Sequence, residues 1–185
     1  MPTTTSSPPP ARITPQTDPV PDGLAPEALH TERLVLVALT PELARTALED
    51  RPKLGCMLGA RVPETRPRAD FVRMLPRLAR GAEQSRLLVR TADGTLIGET
   101  GFHGPPDGSG TVEVGYSIVP AYRGRGLASQ ATRALIQHAI SHPDIRYIIA
   151  ECLDDNLASL KVLEKLGMRR VGRAGGTLRF EVRGR

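Results

Sequence analysis

Val119-Pro120-Ala121-Tyr122-Arg123-Gly124-Arg125-Gly126-Leu127-Ala128 decides how the rest of this chain is read. A strand-like run ends at a proline, crosses two glycines and two arginines, and opens into a helical pattern. Such a passage leaves backbone N–H groups without intrahelical partners at a helix N-terminus, where the helix dipole is positive. That is a site for phosphate or pyrophosphate. Gly124 and Gly126 let the backbone approach a ligand with no Cβ in the way. The ligand class is therefore a phosphate-bearing cofactor.

Spacing selects among such cofactors. A dinucleotide fingerprint needs G-x-G-x-x-G after the first strand of a βαβ unit. Here Ser129 stands where the third glycine belongs, and the turn comes late in the chain. The P-loop string G-x-x-x-x-G-K-[ST] is absent from the sequence. What fits is [QR]-x-x-G-x-[GA], filled by Arg123, Gly126 and Ala128. This resembles the pyrophosphate turn of the GNAT acyl-CoA N-acetyltransferases. Three more segments extend the resemblance over residues 31 to 183. Thr31-Glu32-Arg33-Leu34-Val35-Leu36 with Thr40-Pro41-Glu42 is similar to the opening strand and first helix of the ribosomal-protein N-terminal acetyltransferase branch. Glu113-Val114-Gly115-Tyr116 is similar to its central strand, and Asn156 to Met168 to its following helix and the approach to the next strand.

The resemblance implies an α/β (α+β) fold. Its mixed, mostly antiparallel sheet of about seven strands splays between the fourth and fifth and carries about four helices. It implies a bacterial enzyme that takes acetyl-CoA as cosubstrate and no metal, and acetylates a primary amine on a protein N-terminus or a small molecule. A non-catalytic acyl-CoA-binding module on the same fold is the alternative. Backbone N–H groups from Gly124 through Arg125, Gly126, Leu127 and Ala128 to Ser129 would hold the CoA pyrophosphate, with Arg123 in the motif. The pantetheine arm would pair with Ile118 and Val119, whose N–H groups would lie near the thioester oxygen. Asn156 would hydrogen-bond the arm, although N-capping alone would also explain that residue.

Composition agrees with one domain and an appendage. The chain has 185 residues, 39% of them hydrophobic, enough to bury a core. Met1 to Ala28 carries eight of the 17 prolines and few apolar residues, so it reads as a disordered tail, with the folded domain spanning 29 to 185. The tail lacks the basic segment and apolar core of a secretory signal. The longest apolar run, Leu34 to Leu39, is too short to span a bilayer. These features place the chain in the cytoplasm, away from membranes, as a monomer or homodimer. Residues 1 to 30 carry a net charge of −2, which leaves +7 on the rest given +5 overall. A basic domain suits an anionic ligand. Nucleic acid is disfavoured because aromatics are only 3%, leaving few stacking platforms. Cys56 and Cys152 have no metal-ligand spacing and read as free thiols.

Thr40 with Pro41 predicts a helix over Glu42 to Asp50. Arg51 to Arg66 holds Pro52, Gly55, Gly59 and Pro63 and reads as an irregular loop; within it, Leu54 to Glu64 is either a specificity segment or a plain connector. A second helix is expected over Arg68 to Arg80, kinked at Pro76. Ser85–Arg90 and Thr95–His103 make a hairpin across Ala92-Asp93-Gly94. In Thr111–Ile118, Val112, Val114, Tyr116 and Ile118 share one face, and Glu113, Gly115 and Ser117 the other. A helix follows the glycine turn, then a strand at Arg146–Cys152, a helix capped by Asn156 and closed by Gly167, and a strand pair, Met168–Arg173 with Thr177–Arg183.

Acetyl transfer needs a neutral amine and a proton for the departing thiolate. Glu113, one step along the central strand from the acetyl site, is the leading general base. Its alternative role is a salt bridge to a nearby arginine. Glu99 and His103 on the neighbouring strand are the other base candidates, whereas His138 and His142 read as structural. Leu163 stands where many family members carry an acidic tyrosine, so no phenol is available at that point of the helix. The resemblance to the ribosomal-protein branch instead makes Ser159 the acid, with helix capping as its other reading.

Overall fold

The computed structural model describes residues 28–64 and 84–184. The expected tail over Met1 to Ala28, save Ala28 itself, and the expected helix over Arg68 to Arg80 fall outside the described residues. Strands run β1 (Leu29–His30), β2 (Leu34–Ala38), β3 (Gln84–Arg90), β4 (Thr95–Phe102), β5 (Thr111–Ile118), β6 (Tyr147–Leu153), β7 (Arg169–Ala174) and β8 (Thr177–Arg183). They form one sheet in the order β1-β2-β3-β4-β5-β6-β8-β7, eight strands against the expected seven because the two-residue β1 extends the edge. Every pairing is antiparallel except β5 with β6. The described helices are α1 (Pro41–Glu49), α2 (Arg51–Leu58), α3 (Leu127–Ala139) and α4 (Leu157–Lys165).

Local chemistry explains the boundaries. Thr40 Oγ1 accepts from Leu43 N at 3.1 Å, and Pro41 opens α1 where its missing N–H has no intrahelical partner to lose. The loop expected over Arg51 to Arg66 is wrong for its first eight residues, which form α2. Asp50 Oδ1 accepts from Lys53 N at 2.9 Å and starts the helix, Pro52 sits in the tolerant first turn, and Gly59 at φ 56° ends it. Prolines and glycines that read as breakers are here a start and a stop. Leu54 and Leu58 are core residues under the sheet, so they cannot line a substrate pocket. The exposed side of α2 does border a cavity of about 690 Å³ with Arg51, Cys56, Arg61, Glu64 and Tyr122.

Alternation along the strands sorts side chains into two layers. Leu87 and Val89 pack under α1 and α2. Leu34, Leu36, Leu88 and Ile118 pack under the start of α3, with Leu127 and Ala131. The largest cluster joins Val112 and Val114 of β5 to Leu135 and Ile136 of α3, Leu163 of α4, and Leu178 and Phe180 of β8. Thus α1 and α2 cover one face, while α3 and α4 cover the other. β5 contributes Val112, Val114 and Ile118 to the face under α3 and α4, and it is also where the sheet opens. Its parallel register with β6 runs only from Thr111↔Tyr147 to Glu113↔Ile149. Beyond Glu113 the two strands diverge, while β4 stays paired to β5 as far as Ile118.

Candidate active site

The glycine turn is built from backbone and braced by side chains far away in sequence. A short 3-10 turn (Pro120–Tyr122) leads from β5 into it. Gly124 and Gly126 take φ 73° and 75°, the left-handed region that favours glycine. Gly126 is the N-cap of α3 and brings no side chain to bond the first-turn N–H groups. Gln130 N donates to Gly126 O, so the N–H groups of Leu127, Ala128 and Ser129 precede the first intrahelical bond. A Cβ on Gly124 would meet nothing within 4 Å, so the cradle is open above the turn. The first turn of α3 holds no acidic residue to compete for an anion. Arg123 and Arg125 stand exposed beside it. The pyrophosphate of CoA fits this donor set. Leu127 and Ser129 are buried, so only their N–H groups can serve it.

Arg33 was not singled out from the sequence as a site residue, yet it holds the turn. Its Nη1 donates to Arg125 O at 3.0 Å and its Nε to Gln130 Oε1 at 3.2 Å. The only sequence signal was its place at the head of β2; contacts across 92 residues leave no periodicity. Tyr122 Oη donates to Asp93 Oδ2 at 2.8 Å, and Arg90 and Arg125 each lie 5.6 Å from its ring centre. The turn is thereby tied to the β3–β4 hairpin.

Register decides which backbone groups line the opening. In an antiparallel pair, residues that bond the neighbour alternate with residues that face away. Val119 N donates to Ile97 O at 2.8 Å, and His103 N donates to Glu113 O at 2.8 Å. Odd-numbered residues of β5 therefore bond β4, while the N–H groups of Tyr116 and Ile118 face the gap. This narrows the N–H pairing expected at both Ile118 and Val119 to Ile118, since Val119 N–H is engaged in the sheet. Ile118 O accepts from Arg123 Nε at 2.8 Å, which gives the motif arginine a second task of fixing the strand end.

The base candidates share one face, and two of them touch. His103 Nδ1 donates to Glu113 Oε1 at 3.3 Å. Glu99 pairs across from Ser117 on the same face of the sheet. A Cβ on Gly115 would lie 2.5 Å from His103 Nε2, so glycine there makes room for the imidazole ring. The bond from His103 pulls Glu113 below the usual carboxylate range, against its partial burial, so Glu113 is ionised at neutral pH. Among the described residues no arginine forms an ion pair with Glu113 within 4 Å. His138 lies in the last turn of α3, at the far end of that helix from the glycine turn, and His142 Nδ1 sits 3.6 Å from Asp144.

On the other side of the gap, Asn156 Oδ1 accepts from Ser159 N at 3.1 Å and caps α4. Ser159 is partly exposed in the first turn of that helix. Its carbonyl accepts from Tyr116 Oη at 3.3 Å. Among the described residues no group of three or more His, Cys, Asp or Glu side chains is placed to hold a metal.

The acetyltransferase (GNAT) domain family model matches residues 33–169. The chain belongs to the GNAT acetyltransferases. One similar protein is an uncharacterized N-acetyltransferase, YjdG, of Bacillus subtilis (strain 168), 31% identical over 148 residues, covering 75% of this chain and 88% of that one. A ribosomal-protein-serine acetyltransferase of Escherichia coli (strain K12) is 33% identical over 72 residues, 39% of this chain and 40% of the relative. Among solved structures, the ribosomal L7/L12 α-N-protein acetyltransferase RimL in complex with coenzyme A superposes with a TM-score of 0.59 at 18% identity, over 85% of this chain and 98% of that one. That likeness is one of fold. Membership makes this GNAT chain an acyl-CoA N-acyltransferase, with acetyl-CoA as its cosubstrate.

Proposed function

We propose that this acyltransferase moves acetyl from acetyl-CoA directly onto a primary amine, in a complex holding both substrates, and that Glu113 receives the amine. The observation that carries this reading is the Glu113–His103 pair, standing at the last paired residue before β5 leaves β6. An anionic carboxylate there attracts an ammonium and takes its proton, directly or through water. His103 fixes the carboxylate by its 3.3 Å bond and rests over Gly115, so the pair has a defined orientation. The N–H groups from Gly124 to Ser129 hold the pyrophosphate, with Arg123 and Arg125 beside them. Ile118 N–H offers the pantetheine arm a strand edge. Asn156 flanks the arm, and Ser159 stands on the thiol side of the gap. The ribosomal-protein-serine acetyltransferase among the similar proteins favours a peptide or protein N-terminus as acceptor, with a small-molecule amine as the other choice. Among the described residues no helix is long and apolar enough to cross a membrane, and we take the enzyme to work in the cytoplasm.

The test is thiol release from acetyl-CoA against a panel of small amines, aminoglycosides and peptides with free N-termini, with mass spectrometry on the acceptor. The expected result is a mass gain of one acetyl group on an amine nitrogen. CoA binding with no acceptor turned over in any class would overturn the reading.

A further inference from the structure

The two faces of β5 are unequally explained. Glu113 occupies one, while the other packs beneath α3 and α4. Tyr116 lies on that second face, two residues before Ile118, which places it about 7 Å along the strand from the pantetheine edge. It stands past the last β5–β6 pair, in the section where the strands have separated. It packs against the core cluster that contains Leu163 of α4, and it is only partly buried. The hydroxyl reaches from β5 to the first turn of α4, where it donates to Ser159 O at 3.3 Å. The phenol thus spans the space between β5 and α4. Leu163, the next residue along that side of α4, is 1% exposed and has no proton to give.

We propose that Tyr116 is the group that protonates the departing CoA thiolate, the phenol being supplied by the central strand and turning its single proton from the Ser159 carbonyl to the sulfur. The proposal rests on the acetyl-CoA reading of the gap. Glu113 takes one proton from the substrate ammonium, and the amine nitrogen then bonds the acetyl carbon. As the carbon–sulfur bond breaks, its electron pair stays on sulfur, and Tyr116 Oη gives that sulfur a proton. The second proton shed by the new amide nitrogen restores the phenol through water, and Glu113 returns its proton to solvent. The balance is ammonium plus thioester giving amide, thiol and one released proton. Burial raises the phenol above its ordinary range, so Tyr116 is a neutral donor at every physiological pH. Among the described residues the titratable side chain that acts on it is Cys152 of β6, whose thiol is itself pushed up by burial and stays uncharged.

The experiment needs no acceptor amine. Coenzyme A labelled with ¹³C at the carbon next to sulfur is bound to the full chain, and its chemical shift is followed against pH. A donor aimed at the sulfur favours thiolate, so the bound thiol of wild type should titrate lower than in Tyr116→Phe, by about one pH unit or more. Calorimetric affinity for CoA should change by less than about threefold, given that the ring remains in place. Replacing Tyr116 with 3-fluorotyrosine, the same shape with a more acidic hydroxyl, should move the thiol the opposite way. Ser159→Ala retains the carbonyl and should leave the bound thiol where wild type has it. Equal thiol titration in wild type, Tyr116→Phe and the fluorotyrosine protein would overturn the proposal, as would a shift confined to Ser159→Ala. If wild type failed to bind CoA, the cosubstrate site would fall, and the proposal with it.

Discussion

The glycine turn and the parted strands are ten residues apart in sequence, yet they are constructed on opposite principles. From Val119 to Ser129, the proposed cofactor contacts come from backbone N–H groups and two positive-φ glycines. Side chains there serve as braces: Arg33, Tyr122 and Arg123 all hold the turn to other elements. Between β5 and β6 the reverse holds. Backbone pairing stops at Glu113, and the proposed chemistry falls to three side chains, His103 at the end of β4 with Glu113 and Tyr116 of β5. Backbone sites tolerate side-chain change but not a change of dihedral angle. Side-chain sites behave the other way round, and substitutions at the two places should fail differently.

The largest effect is expected at the parted strands. Glu113→Gln keeps size and removes the proton acceptor, so kcat should fall by roughly 10²–10⁴-fold, the usual scale of general base catalysis. The loss should shrink at high pH, where more of the amine is already neutral, while CoA affinity stays unchanged. A pH–rate profile matching wild type would shift the base to His103 or Glu99, or show that the enzyme merely selects neutral amine. At the turn, Gly126→Val should weaken CoA binding by well over tenfold, a loss above about 1.4 kcal/mol. Valine is strained at φ 75°, and its side chain would stand against the Arg33 guanidinium that braces the turn. Calorimetry on the folded variant decides this, and unchanged affinity would remove the turn from the cofactor site.

This division also explains what was legible in the sequence. The turn was readable because its information is local: glycine where φ is positive, proline at a strand end, and a helix pattern immediately after. The sheet and helix order followed for the same reason. α2 escaped because Asp50, Pro52 and Gly59 are ambiguous one by one, and only their spacing as cap, first turn and stop makes a helix. Glu113 and His103 were each named as separate base candidates, but their 3.3 Å contact depends on β4–β5 register, which strand patterns alone leave open. Tyr116 was placed on a buried face without a role, because the residue that its hydroxyl meets lies 43 positions onward. Arg33 escaped on the same ground.

Asn156 lies on the boundary between the two modes, since its side chain serves a helix terminus. Replacing it with alanine should lower stability by about 1 kcal/mol through loss of the bond to Ser159 N. Urea unfolding of the free protein measures that cost, and CoA calorimetry on the same variant separates it from a contact to the pantetheine arm. A drop in affinity with unaltered stability would place Asn156 among the cofactor ligands rather than the caps.

The smallest effect concerns the Glu113–His103 contact as a contribution to folding. Glu113 is held below its unperturbed value of 4.5 in the native protein, first by the bond from His103, with burial opposing. A carboxyl whose folded value is depressed contributes stability that is fully present above the unfolded value and is lost as pH falls through the folded one. The pair is well exposed, 43% for the imidazole and 36% for the carboxylate, so solvent screening keeps the contribution below about 1 kcal/mol. Glu113→Gln cannot titrate at this position. The part of the stability gap between wild type and that variant that comes from the carboxylate's own titration should be fully present above about 4.5 and narrow as the medium becomes more acidic. Urea midpoints measured at several pH values along that range give the gap directly. A gap that stays constant to pH values well below 4.5 would mean that the carboxylate gains nothing from His103, and its orientation at the opening would then have to come from elsewhere on that face of the sheet.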